Sequence, residues 1–171
     1  MLLKSLQRLL KAKNIDQISV ADIAEEATVN RGTFYDHYAD KFALFEGLVE
    51  SGFQDFLGKR NMAFDGTCAS TLQGITLATC DYMAGLMHTD CPDRRQMEKH
   101  FEAAMISVLR GMILCGLQKH PPQSGIPAEL VAATVSGAIC SGAREWARTP
   151  DRVSADQTAK SIFTLIQPMM A

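Results

Sequence analysis

The sequence predicts an all-α protein with an N-terminal helix-turn-helix head over residues 1–45 and a helical body over residues 46–171. Three observations carry this prediction. Apolar residues recur at spacings of three and four along most of the chain, which is the period of an amphipathic helix. No alternating pattern typical of strands rises above it, and proline and glycine gather at the ends of these segments, as at Pro121-Pro122 and Gly125-Ile126-Pro127.

The head begins with a leucine-rich first helix, whose buried stripe we expect to be Leu2, Leu3, Leu6, Leu9 and Leu10, with Ile15 and Ile18 closing a small core. A second helix starts after Ser19, a suitable N-cap, and Asp22 adds the negative charge that a first turn favours. This helix is barely two turns long, so packing against its neighbours must hold it.

A tight turn, Thr28-Val29-Asn30, leads into a third helix from Arg31 to about Tyr38. Asn30 is a suitable N-cap for it. Phe34 and Tyr38 share one face and should point inward, and Val29 should plug into the core. The polar side chains lie toward the other faces, as expected of a recognition helix in a major groove.

The outward residues of this region form a set suited to DNA. Arginine can donate two hydrogen bonds to a guanine edge, and a glycine lets the backbone approach the groove. Hydroxyl, imidazole and ammonium groups can reach phosphate oxygens. The predicted DNA-binding residues are Ser19, Asn30, Arg31, Gly32, Thr33, Tyr35, His37 and Lys41.

The first 50 residues or so resemble the DNA-binding domain of the tetracycline-repressor (TetR) family, chiefly through the run Asn-Arg-Gly-Thr-Phe-Tyr-Asp-His-Tyr over residues 30–38. The resemblance implies base contacts from Arg31, Gly32 and Tyr35. It implies phosphate contacts from Ser19, Thr33, Tyr35, His37 and Lys41.

The sequence departs from the family pattern at two positions and at its start. Thr28 stands where the family usually has glycine, so we expect a slightly reshaped turn. Ala21 stands where some relatives have a base-reading arginine, so that contact should be absent. Relatives often carry a basic arm before the first helix, and we expect this arm to be missing or trimmed here.

The composition of the 171-residue chain is that of a globular protein, with 47% hydrophobic and 21% charged residues. Net charge is −2, and the first 45 residues carry six basic and six acidic side chains, so even the head is neutral. We expect three of its acidic groups, Asp22, Glu25 and Glu26, to lie on the second helix, while Arg31, His37 and Lys41 cluster near the groove. No apolar run approaches the ~20 residues that span a bilayer, and no signal peptide is visible, which favours the cytoplasm and no membrane partner.

Five scattered cysteines indicate free, buried thiols in a reducing compartment rather than disulfides. The spacing of His88, Cys91 and His100 matches no standard metal site, so no metal or other cofactor is predicted. A redox-sensing Cys91 is a minor alternative. The sequence contains no Ser-His-Asp order with supporting turns, no phosphate loop and no paired carboxylates in an apolar setting, which argues against an enzyme.

The body is predicted as five helices, over residues 41–60, 69–88, 93–119, 127–148 and 155–170. The first continues from the head into the body without a linker. The middle of the third, Met105 to Leu117, is apolar almost all round and should be buried at the centre. The last two carry small residues and an apolar face, and in the resembling family such helices pair with a second subunit. We therefore expect a homodimer rather than a monomer in which both faces pack internally.

The sequence thus predicts a ligand-responsive regulator of transcription, most simply a repressor, that binds a pseudo-palindromic DNA operator as a dimer and is released by a small-molecule effector. The alternative is a helical protein-interaction module without specific DNA binding. The effector is unknown, and a small apolar or amphipathic compound is the favoured class. Predicted lining residues, which could equally be ordinary core, are Tyr82, Met83, Met87, Phe101, Met105 and Trp146.

Overall fold

A computed structural model of the chain describes residues 1–62, 69–87, 94–121 and 125–170. Of residues 69, 70, 86, 87, 94–96 and 170 it describes the backbone only. Throughout these residues the regular elements are helical, so the all-α prediction is confirmed. The elements are α1 (Leu2–Leu9), the 3-10 helix η1 (Ile15–Gln17), α2 (Val20–Glu26), α3 (Arg31–Tyr35), α4 (Lys41–Lys59), α5 (Ala69–Met87), α6 (Arg94–Lys119), α7 (Ala128–Arg148) and α8 (Ala155–Met170).

The helices form two compact units. The first contains Met1–Gly52 and the part of α6 that ends at Met105. The second contains α4 from Phe53 onward, α5, α6 from Ile106 onward, α7 and α8. The first unit therefore includes, besides the residues 1–45 predicted as the head, the beginning of α4 and a segment of a helix far along the chain.

The core of the first unit is built from the short helices around η1. Leu6, Ile15, Ile18, Ile23 and Phe34 are all fully buried. Burying side chains of this size contributes roughly 1.5–3 kcal/mol each, which is what holds helices too short to be stable alone. The predicted closure of the core by the two isoleucines before α2 is confirmed, whereas Leu3, Leu9 and Leu10 are only half-buried.

Helix α2 ends in a complete Schellman motif. The Thr28 backbone N–H donates to Glu25 O (3.0 Å) and the Val29 N–H to Ala24 O (2.9 Å), the two bonds that define this cap. Thr28 has φ +56°, the left-handed conformation that glycine adopts without strain. The expected reshaping of the turn is thus wrong. Thr28 adopts the left-handed conformation that glycine would adopt here, and its backbone is strained as a result.

Helix α3 is shorter than predicted. It ends at Tyr35 rather than near Tyr38, and beyond it the His37 N–H donates to Phe34 O in a three-residue turn. Asp40 then caps α4, its Oδ1 accepting from the backbone N–H groups of Phe42 and Ala43 at 2.8 Å. Tyr38 is half-buried beside Gly47 of α4, where a side chain would meet its ring at 3.4 Å.

In the second unit, α5, α7 and α8 pack against one another. Their buried faces are apolar and include Ile75, Met83, Val135, Ile139 and Ile166. The hydroxyl groups buried with them donate back into their own helices, as Thr76 does to Leu72 O at 2.9 Å. Gly142 permits the close approach of α7 and α8, since a Cβ at that position would lie 2.7 Å from Ile162 Cδ1.

Helix α6 is buried on one face only, so the predicted burial all round is wrong. Met105, Leu109, Ile113 and Leu117 are buried, while Arg110, Gly111 and Cys115 on the opposite face are exposed. The exposed face includes Gly111 and Cys115, whose small uncharged side chains made it look apolar in the sequence. The segment Met97–Lys119 also reaches the length and mean hydropathy of a membrane-spanning helix, contrary to the sequence expectation, but the core helix of a globular protein meets the same criterion.

Candidate nucleic-acid interface

Helix α3 is fixed at both its start and its inner face. The Asn30 side chain accepts from the Thr33 backbone N–H at 2.8 Å and from the Thr33 hydroxyl at 3.3 Å, which confirms the predicted N-cap. Phe34 is fully buried and contacts Tyr38, with ring centroids 6.2 Å apart. One side of a helix of only five residues is therefore anchored in the core.

The remaining side of α3 faces outward, as predicted. Arg31, Tyr35 and His37 are exposed, and 57% of the surface of Tyr35 is accessible. Tyr35 is not loosely held, because its ring meets Phe34 edge to face with centroids 5.4 Å apart. The phenol is thus presented outward beside the guanidinium of Arg31.

Gly32 has a structural reason for being glycine besides access to a groove. A Cβ at this position would lie 3.0 Å from Asn30 Oδ1, the atom that caps α3. Any side chain would therefore press on the cap. The residue is exposed, so the backbone of α3 is also open to an approaching surface.

Ser19 and Asp22 form a reciprocal capping box at the start of α2. The Asp22 N–H donates to Ser19 Oγ at 3.1 Å, while the Ser19 N–H and hydroxyl both donate to Asp22 Oδ2 at 2.7 Å. The side-chain and backbone hydrogen bonds from Ser19 lower the pKa of Asp22, because they stabilise its charged form. The predicted N-cap is confirmed, and its hydroxyl proton is already donated within the chain.

Lys41, a predicted phosphate contact, lies at the start of α4 with its ammonium turned toward the chain before α2. Its Nζ donates to Asp16 O at 3.0 Å and to Ile18 O at 2.9 Å. The ammonium also lies 5.2 Å from the centre of the Phe42 ring. Two of its three N–H groups thus bind the carbonyls that end η1.

Two of the acidic side chains on α2 have partners inside the first unit. Arg8 Nε donates to Glu26 Oε1 at 2.6 Å, and Asp22 is engaged in the capping box. Asp22, Glu25 and Glu26 lie on α2 as expected, whereas Asp16, Asp36 and Asp40 lie elsewhere in the head, and Asp22 and Glu26 have partners other than Arg31. This reduces the repulsion that a phosphate backbone would meet at a head of zero net charge.

The predicted ligand-lining residues lie at separate places. Tyr82 belongs to an aromatic cluster with Phe53 and Phe56, at centroid distances of 5.3 and 5.2 Å. Arg60 stacks 3.8 Å from the centre of Phe56 and pairs with Asp81 at 3.0 Å. Burial, with a smaller contribution from Asp55, raises the pKa of Tyr82, so its phenol is neutral and can donate a hydrogen bond.

The other members of that set have structural neighbours as well. Met83 and Met105 are fully buried core residues, and Phe101 is half-buried in α6. Trp146 lies at the end of α7, where its indole N–H donates to Val153 O at 2.7 Å and Arg152 stacks on its ring. The Met87 side chain lies outside the described residues.

The cysteines differ in environment. Cys80 and Cys140 are buried thiols, as predicted, and burial raises the pKa of Cys80 to about 12. Cys115 is exposed, against the expectation, because it lies on the outer face of α6. Cys68, Cys91 and His88 lie outside the described residues. Within the described part of the chain, no group of three His, Cys, Asp or Glu residues could hold a metal ion.

Sequence reasoning missed the partner of His100. Its Nε2 lies 3.1 Å from Asp16 Oδ1, and its ring stacks on Phe42 with centroids 5.0 Å apart. Asp16 precedes His100 by 84 residues, so no local pattern could have joined them. The pairing places a side chain of α6 directly against the chain that leads into α2.

A capped, exposed second helix that packs on a short first one is the arrangement of a helix-turn-helix. Residues 2–48 match the profile of the bacterial regulatory proteins of the tetR family. The uncharacterized HTH-type transcriptional regulator YxbF of Bacillus subtilis (strain 168) is 41% identical over 56 residues, which are 33% of this chain and 14% of that protein. Residues 2–48 are thus a DNA-binding region of the tetR type, and the chain spans only 14% of the length of this curated relative.

Two solved structures are similar over nearly the whole chain. The TetR family repressor AlkX from Dietzia sp. strain DQ12-45-1b has a TM-score of 0.55 at 18% identity, covering 99% of this chain and 95% of its own. Thermus thermophilus FadR, a TetR family transcriptional repressor in complex with lauroyl-CoA, has a TM-score of 0.53 at 16% identity, covering 99% and 93%. At sequence identities this low, the similarity shows a shared fold and nothing more.

Proposed function

We propose that this regulator represses transcription by binding a pseudo-palindromic operator as a homodimer, with α3 in the major groove. The observation that carries the proposal is that Arg31 and Tyr35, four residues apart on α3, are exposed together while the buried Phe34 anchors the helix. Arg31 donates to a guanine edge, and Tyr35 and the Gly32 backbone contact bases beside it. His37 and the remaining ammonium N–H of Lys41 contact the adjoining phosphates, and the hydroxyls of Ser19 and Thr33 join them by exchanging their bonds to Asp22 and Asn30 for phosphate oxygens.

The second copy packs against α7 and α8 in this proposal. Leu130 and Leu165 are 57% and 72% exposed, large apolar side chains on the two helices that the family resemblance assigns to the dimer. Covering them stabilises the dimer by roughly 25 cal/mol for each Å² removed from water. Two heads then meet two half-sites separated by about one turn of DNA.

A small apolar or amphipathic effector binds the body and releases the DNA. FadR of Thermus thermophilus was solved with lauroyl-CoA, which makes acyl-CoA a rational first probe for this chain. Tyr82, with its neutral phenol beside the Phe53 and Phe56 rings, is the lining residue we favour. A regulator of this kind acts in the cytoplasm, where its operator lies.

Selection of DNA from a random-sequence pool tests this function without knowledge of the regulated genes. We expect the wild-type chain to recover a sequence with two-fold symmetry and to bind it as two chains per duplex in sedimentation equilibrium. Leu165→Glu should yield monomers that bind the same duplex much more weakly. Recovery of no common sequence by the wild type would favour the interaction-module alternative instead.

A further inference from the structure

His100 and Asp16 form a contact for which DNA binding through α3 gives no direct reason. The His100 Nε2 lies 3.1 and 3.3 Å from the two oxygens of the Asp16 carboxylate, so the ring N–H donates to that group. About a third of each side chain is exposed. The imidazole also stacks on Phe42 at 5.0 Å with an interplanar angle of 22°, which fixes the plane in which the N–H points.

The carboxylate that His100 holds belongs to a short segment bound a second time from α4. Lys41 donates to the backbone oxygens of Asp16 and Ile18. The next residue, Ser19, is the N-cap of α2. Side chains of α4 and α6 therefore converge on the three residues that determine where α2 begins, and α2 packs against α3.

We propose that His100 is a positioning residue for DNA binding: through Asp16 it holds the segment that starts α2, and so the placement of α3. The inference rests on the proposed function, because it assigns a role in DNA recognition to a residue outside the helix-turn-helix. His100 and Asp16 both belong to the first unit, and α6, the helix that carries His100, continues past Met105 into the second.

Two substitutions separate the hydrogen bond from the ring contact. His100→Gln keeps an N–H donor for Asp16 but loses the aromatic ring, whereas His100→Phe keeps a ring on Phe42 but has no donor. His100→Ala removes both, and Asp16→Ala removes the acceptor. Lys160→Ala, which breaks the exposed pair of Lys160 and Asp156 on α8, is the matched control for loss of a surface ion pair.

Two readouts are needed, amide hydrogen exchange of the free chain and affinity for the duplex that the wild type selects from a random pool. We expect His100→Ala, His100→Phe and Asp16→Ala each to weaken binding about three- to fivefold, the range of a partly exposed ion pair. Exchange at the amides of Ile18 to Ile23 should accelerate by a similar factor, with those of α7 unchanged. His100→Gln and Lys160→Ala should stay near wild type, and combining His100→Ala with Asp16→Ala should add little.

Several results would overturn the proposal. The first is a His100→Ala variant whose DNA affinity and amide exchange rates both stay within about twofold of wild type. Another is faster exchange with unchanged affinity, which would leave the contact a merely structural one. Equal losses of DNA affinity for His100→Gln and His100→Ala would show that the hydrogen bond to Asp16 is not what positions the segment. If the wild type selects no DNA, the proposed function itself fails, while the exchange data still decide whether His100 holds this segment.

Discussion

Replacing Thr28 by glycine should stabilise the protein, although it removes a side chain. Thr28 is exposed and sits at φ +56° in the Schellman motif that ends α2. The left-handed conformation costs an L-residue roughly 1–2 kcal/mol, and β-branching makes it a pronounced outlier. Glycine relieves this strain. It also makes the unfolded chain more flexible, which lowers the free energy of unfolding by about 0.4–1 kcal/mol. The net gain is therefore about 0.5–1 kcal/mol.

Urea denaturation followed by circular dichroism measures this difference, which corresponds to a rise in Tm of about 1–4 °C for a chain of this size. Asn61→Gly is the matched control. Asn61 ends α4 at φ 52°, but asparagine tolerates this conformation, so the same replacement should be neutral or slightly destabilising. The reasoning is refuted if Thr28→Gly is no more stable than wild type, or if both variants shift stability equally.

Two further predictions concern stability. Asp22→Asn should destabilise the protein at neutral pH: the folded-state pKa of Asp22 is lowered, so its contribution is present above the unfolded pKa and is lost as pH falls through the folded pKa. Urea midpoints should therefore converge with wild type in acid, while Asp36→Asn, an exposed control, should show no loss at neutral pH. Gly142→Ala should cost about 1 kcal/mol, because its Cβ would lie 2.7 and 2.9 Å from Ile162 Cδ1 and Cγ1. Gly111→Ala on α6, with open space around it, should gain up to about 1 kcal/mol, and equal thermal shifts for the two alanine variants would contradict the packing of α7 on α8.

Local signals were sufficient for the helices and their caps. Ser19 and Asn30 predicted the starts of α2 and α3 because an N-cap acts within three residues. The end of α3 was missed, since the residues after Tyr35 form a turn although Phe34 and Tyr38 keep a helical spacing in the sequence. The exposed face of α6 was missed as well, because apolar composition does not say how many neighbours a helix has.

The candidate interface divides in the same way. The exposure of Arg31 and Tyr35 follows from the helical period around Phe34, which the sequence contains. The engagement of Lys41 with Asp16 O and Ile18 O required the fold, which brings residues 25 and 23 positions apart together. The same holds for His100, whose partner no periodicity could indicate.

The central claim is that α3 reads DNA sequence, and affinity of Arg31→Ala for the selected duplex tests it most directly. Fluorescence anisotropy at fixed salt should show a loss of about 1–3 kcal/mol, with binding to unrelated duplex nearly unchanged and the urea midpoint the same. Arg110→Ala, which removes an equally exposed arginine from α6, should bind like wild type. If Arg31→Ala retains wild-type affinity and selectivity for that duplex, α3 does not read DNA through Arg31 and the account is contradicted.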